Sequence, residues 1–105
     1  MAQFDVYANP SPAQREAFPY LVVIQSDQLD RVATRLVMPL ARMSVPAAAL
    51  PRRLSQPVDI GGERLYPAAQ LCAPLPARLL REPVASLRHA SASLVDALDA
   101  VVGGV

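Results

Sequence analysis

Eleven prolines, the last of them Pro83, cut most of this 105-residue chain into blocks too short for regular helices. Proline lacks a backbone N–H and fixes φ, so it ends or edges a regular element instead of sitting inside one. After Pro83 the pattern changes. Val84, Leu87, Ser91, Leu94, Leu98 and Val101 recur every three or four residues, the period of one helix face. Arg88, Ala92, Asp96 and Asp99 fall on the other side. This spacing predicts an amphipathic helix from about Val84 to Val102, or a short turn at Pro83–Leu87 followed by a helix from about Arg88. Proline suits a first helical turn, and Gly103 or Gly104 supplies a C-terminal cap.

The blocks before Pro83 read as strands. Gln3-Phe4-Asp5-Val6-Tyr7 alternates, with Phe4 and Val6 on one side and Gln3, Asp5 and Tyr7 on the other. Ala8 to Pro19 is a proline-rich loop, and Tyr20-Leu21-Val22-Val23-Ile24-Gln25 suits a central strand buried on both faces. Arg35 to Ala41 is the next strand, with Pro39 expected at an edge or a bulge. Val45 to Pro51 reads as a loop. Pro57-Val58-Asp59-Ile60 and Glu63-Arg64-Leu65-Tyr66 flank Gly61-Gly62, the signature of a two-residue hairpin turn. Gln70 to Ala73 reads as a short strand ended by Pro74 and Pro76, and Ala77 to Leu80 as a candidate further strand. The fold class is therefore mostly β with a C-terminal α-helix: one domain over residues 1–105, an antiparallel barrel or strongly bent sheet with the helix on one face.

Composition bounds the function. Apolar residues make up 52% and charged residues only 18%, so apolar surface is in excess and a homodimer interface is its simplest sink. A net charge of +1 gives no field for sequence-independent nucleic-acid binding. The single cysteine, Cys72, allows neither an internal disulfide nor a thiolate metal site and reads as a buried thiol. The N-terminal residues lack the features of a signal peptide and no apolar run is long enough to span a membrane, so a cytoplasmic protein is expected. His89 has no suitable partner at helical spacing and reads as solvent-facing or capping. Ser26-Asp27 followed by Asp30 resembles half of a carboxylate pair, but Ser26 and Asp27 read more simply as side-chain caps that end a strand. Nothing here spells a catalytic or cofactor site, and the chain reads as a binding module.

Taken in order, Gln3-Phe4-Asp5-Val6-Tyr7, Gln25-Ser26-Asp27 with Leu29-Asp30, Arg35-Leu36-Val37-Met38-Pro39-Leu40, Pro57-Val58-Asp59-Ile60-Gly61 and the helix ending in Gly104-Val105 resemble the CcdB toxins of toxin–antitoxin modules. The blocks keep order and spacing over essentially the whole chain. The resemblance implies a homodimeric SH3-like barrel with no cofactor and no catalysed reaction. It implies binding to the A subunit of DNA gyrase, trapped with cleaved DNA. It also implies neutralisation by a disordered segment of a CcdA-like antitoxin, which supplies the DNA-binding fold of the complex. Carried over by position, the gyrase-binding end is Val102, Gly103, Gly104 and Val105. The family's tripeptide there is Trp-Gly-hydrophobic, and Gly103 stands where the tryptophan belongs. Antitoxin contacts carry over to the Ala8–Phe18 loop, to Gln28, Leu29 and Asp30, and to the helix end at Asp99 and Val102. The missing anchor implies weaker gyrase contact and opens a second reading, a non-toxic homologue that binds antitoxin only. MazF-type endoribonucleases resemble the same barrel, but they need an acid–base pair beside a basic RNA groove.

Overall fold

The computed structural model describes residues 2–43 and 51–103. Most of the expected loop at Val45–Pro51 lies outside the described residues, as do Gly104 and Val105. Seven strands are present among the described residues: β1 (Asp5–Ala8), β2 (Tyr20–Val23), β3 (Thr34–Ala41), β4 (Val58–Ile60), β5 (Glu63–Pro67), β6 (Ala73–Pro76) and β7 (Ala85–Ser86). The helix α1 (Ser91–Gly103) follows. The sheet runs β4-β5-β3-β2-β1-β7, with β6 also paired to β3, and these pairings are all antiparallel. This strongly curved, nearly closed barrel with a C-terminal helix is the architecture expected.

Because side chains alternate along a strand, the sheet builds a core on each face. On one face Val6, Val22, Met38 and Leu40 pack with Leu65 and Leu87, and α1 closes that core with Leu94 and Ala97. On the other face Tyr7, Leu21, Val23, Val37 and Leu80 form a second, smaller cluster. β2 is thus buried on both sides, as its β-branched run predicts. The Phe4/Tyr7 alternation holds as well, though Tyr7 is buried instead of solvated.

The Gly61-Gly62 hairpin forms as expected. Ile60 pairs with Glu63, and both glycines take positive φ, +58° and +86°. Gly62→Val forces a β-branched residue into the left-handed region. It should lower stability by about 1–2 kcal/mol, measured as a shift in the urea midpoint. Open space surrounds the position where a Cβ would sit, so backbone strain alone carries the effect.

Four local expectations need correction. The segment expected to start the helix joins the sheet instead: β7 pairs with β1, and the Val84 and Leu87 N–H groups flanking it donate to the Val6 and Phe4 carbonyls at 2.8 Å. Without this segment the outer edge of β1 would be left unpaired beside a buried Val6. A short 3-10 turn at Arg88–Ala90 then leads into α1, closer to the later of the two expected starts. Second, Gln70–Ala73 is not a strand. A 3-10 turn spans Ala69–Leu71, and β6 begins at Ala73 and runs through both prolines. β6 has a strand neighbour on one side only, and prolines two residues apart turn their donorless nitrogens to the same side. Third, Ala77–Leu79 is a 3-10 turn and not a strand.

Fourth, Pro39 lies within the central strand, not at an edge. β2 pairs with Val37–Leu40 on one side of β3, whereas the other side is shared: β6 pairs with Thr34–Val37 and β5 with Leu40–Ala41. The Pro39 carbonyl accepts from the Ala68 N–H at 2.8 Å, so its nitrogen points to the same shared side. The missing donor therefore falls in the gap between β6 and β5.

Phe4 is the one non-glycine residue with positive φ (+72°) among those described. A bulky side chain there costs about 1–3 kcal/mol. Two backbone bonds hold it, Phe4 N–H to the Val23 carbonyl at 2.6 Å and Leu87 N–H to the Phe4 carbonyl.

Candidate partner-binding site

The turn after β2 carries three of the expected contact residues, and it is held from beneath. Ser26 Oγ accepts from the Gln28 N–H at 3.2 Å, and Asp27 Oδ1 accepts from the Gln3 N–H at 2.7 Å. Ser26 therefore caps the turn as expected, whereas the Asp27 side chain ties it to the N-terminal segment through Gln3. The Gln25 amide bridges the turn: its Nε2 donates to the Leu29 and Thr34 carbonyls, and its Oε1 accepts from the Leu36 N–H. The Arg35 guanidinium donates to the carbonyls of Asp30, Val32 and Thr34. Arg35 is buried, and three carbonyl oxygens replace the water it loses. Gln28, Leu29 and Asp30 point outward from this frame, with Leu29 half exposed. Sequence reasoning missed the role of Arg35. The available signal was a guanidinium opening an otherwise apolar strand.

At the other expected contact region, Asp99, Val102 and Gly103 lie exposed on the last turns of α1. Val102 is 82% exposed. Arg53, from the 3-10 turn at Arg52–Leu54, pairs with Asp96 one helical turn before Asp99, Nη2 to Oδ1 at 2.7 Å. That hydrogen bond, with the charge behind it, holds the Asp96 carboxyl below its usual range. A carboxyl depressed by folding lends stability above its unfolded pKa and loses it as pH falls through the folded value. The pair is exposed, so the effect on stability is small. In Arg53→Ala the Asp96 resonance should titrate at higher pH than in wild type, as an NMR titration would read. Among the described residues no hydrogen bond or ion pair joins the Gln28–Asp30 turn to the helix end.

The Ala8–Phe18 loop is organised by Asn9. Its Nδ2 donates to the Phe18 carbonyl at 2.9 Å, and its Oδ1 accepts from the Ser11 N–H at 2.9 Å. Arg15 Nε donates to the Asn9 carbonyl at 3.0 Å. Between this loop and the segment after β5 runs a groove of about 630 Å³, lined mainly by apolar side chains including Phe18, Leu21, Leu71, Leu75 and Leu79. No pattern along the chain signals this groove, because its two walls are far apart in sequence and meet only through β3.

The remaining candidates sit where no chemistry is assembled. Cys72 is half-buried against the core, and burial pushes its thiol up to about 11, which keeps it protonated and unreactive at neutral pH. His89 is exposed on the turn before α1. Among the described residues no group of three His, Cys, Asp or Glu side chains could hold a metal ion, and no helix is long and apolar enough to cross a membrane. A protein-family model described as "CcdB protein" matches residues 3–104.

Proposed function

This chain belongs to the CcdB family of toxin–antitoxin toxins, and on that premise we propose that it is a homodimeric inhibitor of DNA gyrase. In this reading the Val102–Val105 segment contacts the A subunit of gyrase. A CcdA-like antitoxin neutralises the protein through Gln28, Leu29, Asp30, Asp99 and the Ala8–Phe18 loop. The observation that carries it is the family match over residues 3–104. Its support in the fold is an exposed final helical turn, a shape suited to protein contact and not to catalysis.

The test is induced expression without antitoxin. The reading expects growth arrest with DNA-damage signalling, and accumulation of cleaved DNA when purified protein meets gyrase. Glycine in place of the anchor at position 103 favours a second reading, a homologue that sequesters antitoxin without poisoning gyrase. Normal growth and no cleaved DNA, with antitoxin binding retained, would select that reading.

A further inference from the structure

Beside the apolar groove lies a second cleft of about 590 Å³ with a different character. It opens where β1 runs into the Ala8–Phe18 loop and the Ala77–Leu79 turn passes close by. Arg15, Arg78 and Arg81 line it with one carboxylate, Glu82, so the cleft is net positive on a chain whose overall charge is only +1. Arg15 is committed through Nε to the Asn9 carbonyl. Among the described residues Arg78 and Arg81 form no ion pair and no side-chain hydrogen bond.

Tyr7 lines the same cleft and is only 2% exposed, yet its hydroxyl makes no hydrogen bond among the described residues. Among those residues no polar side-chain atom fully shut off from solvent lacks a partner, so this hydroxyl reaches solvent at the cleft it lines. A nearly buried donor without a protein partner marks a place where a ligand acceptor is favoured. The cleft also shares Asn9, Pro10 and Leu79 with the apolar groove, so the two form one continuous depression.

We propose that this depression binds an acidic amphipathic peptide, with apolar side chains in the groove and a carboxylate held by Arg78, Arg81 and the Tyr7 hydroxyl. Arginine forks hold carboxylates through paired, charge-assisted hydrogen bonds, and the Tyr7 hydroxyl adds a third donor. The apolar wall favours a peptide over nucleic acid, whose phosphates would meet apolar side chains along most of the groove. The inference rests on the reading of this chain as an antitoxin-bound toxin, and the natural occupant is then an acidic stretch of that antitoxin. Tyr7, Arg78 and Arg81 are not among the positions that the family resemblance assigns to antitoxin contact.

The probes are overlapping synthetic peptides spanning the protein encoded immediately upstream, with a single-stranded oligonucleotide as comparison. One acidic peptide should bind the wild-type chain, and its affinity should fall with rising salt. The Arg78→Glu/Arg81→Glu double variant should weaken that binding by about 30-fold and flatten the salt dependence. Tyr7→Phe should weaken it by about fivefold with its melting temperature unchanged. Both variants should keep wild-type affinity for the gyrase A subunit. Equal peptide binding by wild type and double variant overturns the cleft as the site and leaves the antitoxin reading standing. Absence of any peptide binding to the wild type overturns the proposal, while the growth-arrest experiment tests the toxin reading separately. Oligonucleotide binding that the double variant abolishes, without peptide binding, assigns the cleft to nucleic acid instead.

Discussion

Gly103→Trp should tighten binding to the A subunit of gyrase by roughly 30-fold or more and raise toxicity in parallel. A buried aromatic anchor at an interface is commonly worth about 2–4 kcal/mol, and each ~1.4 kcal/mol is tenfold in affinity. Part of that gain is attraction between the ring and a cation of the partner, about 1–2 kcal/mol when desolvated. The fold accommodates the change. Gly103 closes α1, lies exposed, and has no atom within 4 Å of where a Cβ would stand. Its φ lies outside the left-handed region, so a side chain there meets no backbone penalty. Replacing glycine in a helix also lowers the entropy lost on folding, by up to about 0.5 kcal/mol for tryptophan. Titration against purified gyrase and a growth assay read the two effects. No change in either would mean that the helix end no longer addresses gyrase.

Leu94→Ala should cost about 3–4 kcal/mol of folding stability, a large share of the ~5–15 kcal/mol that holds a domain together. Leu94 is 2% exposed and, with Ala97, is how α1 closes the larger core. The helix otherwise packs mainly on the 3-10 turns at Arg52–Leu54, Ala69–Leu71 and Arg88–Ala90, none of which carries a long strand ladder. Truncating Leu94 leaves a cavity in the cluster that holds Leu87 and Met38, which these rigid neighbours fill only in part. The melting temperature should fall by about 15 °C. Val95→Ala, on the exposed side of the same helix, is the control and should change stability by less than about 0.5 kcal/mol in dilute solution. Similar losses from the two variants would place the core elsewhere.

What the sequence made legible were features decided by neighbours in the chain. The Gly61-Gly62 hairpin follows from two residues that tolerate positive φ, and the burial of β2 from its β-branched run. Features decided by distant partners were not legible. Val84 to Leu87 carries helical spacing, but an unpaired edge on β1 takes the segment into the sheet. Pro74 and Pro76 look like terminators until β6 proves to have a single strand neighbour. For the candidate site, Gln28, Leu29 and Asp30 came from the family resemblance, and the structure leaves all three exposed. The buried Arg35 frame beneath them was not legible, because its three acceptors are backbone carbonyls that leave no mark in residue type. The strained backbone at Phe4 had no sequence signal either, since phenylalanine is a poor choice for that conformation.

Pro39 has one more effect, on how β3 finds its place. A slide of β3 by two residues in either direction would carry the donorless nitrogen out of the gap and set it against β6 or β5. One ladder bond would then be lost at every wrong stop and none at the right one. The residue that cannot donate thus works as an index pin, making misalignment of the longest strand cost energy while the correct alignment costs none.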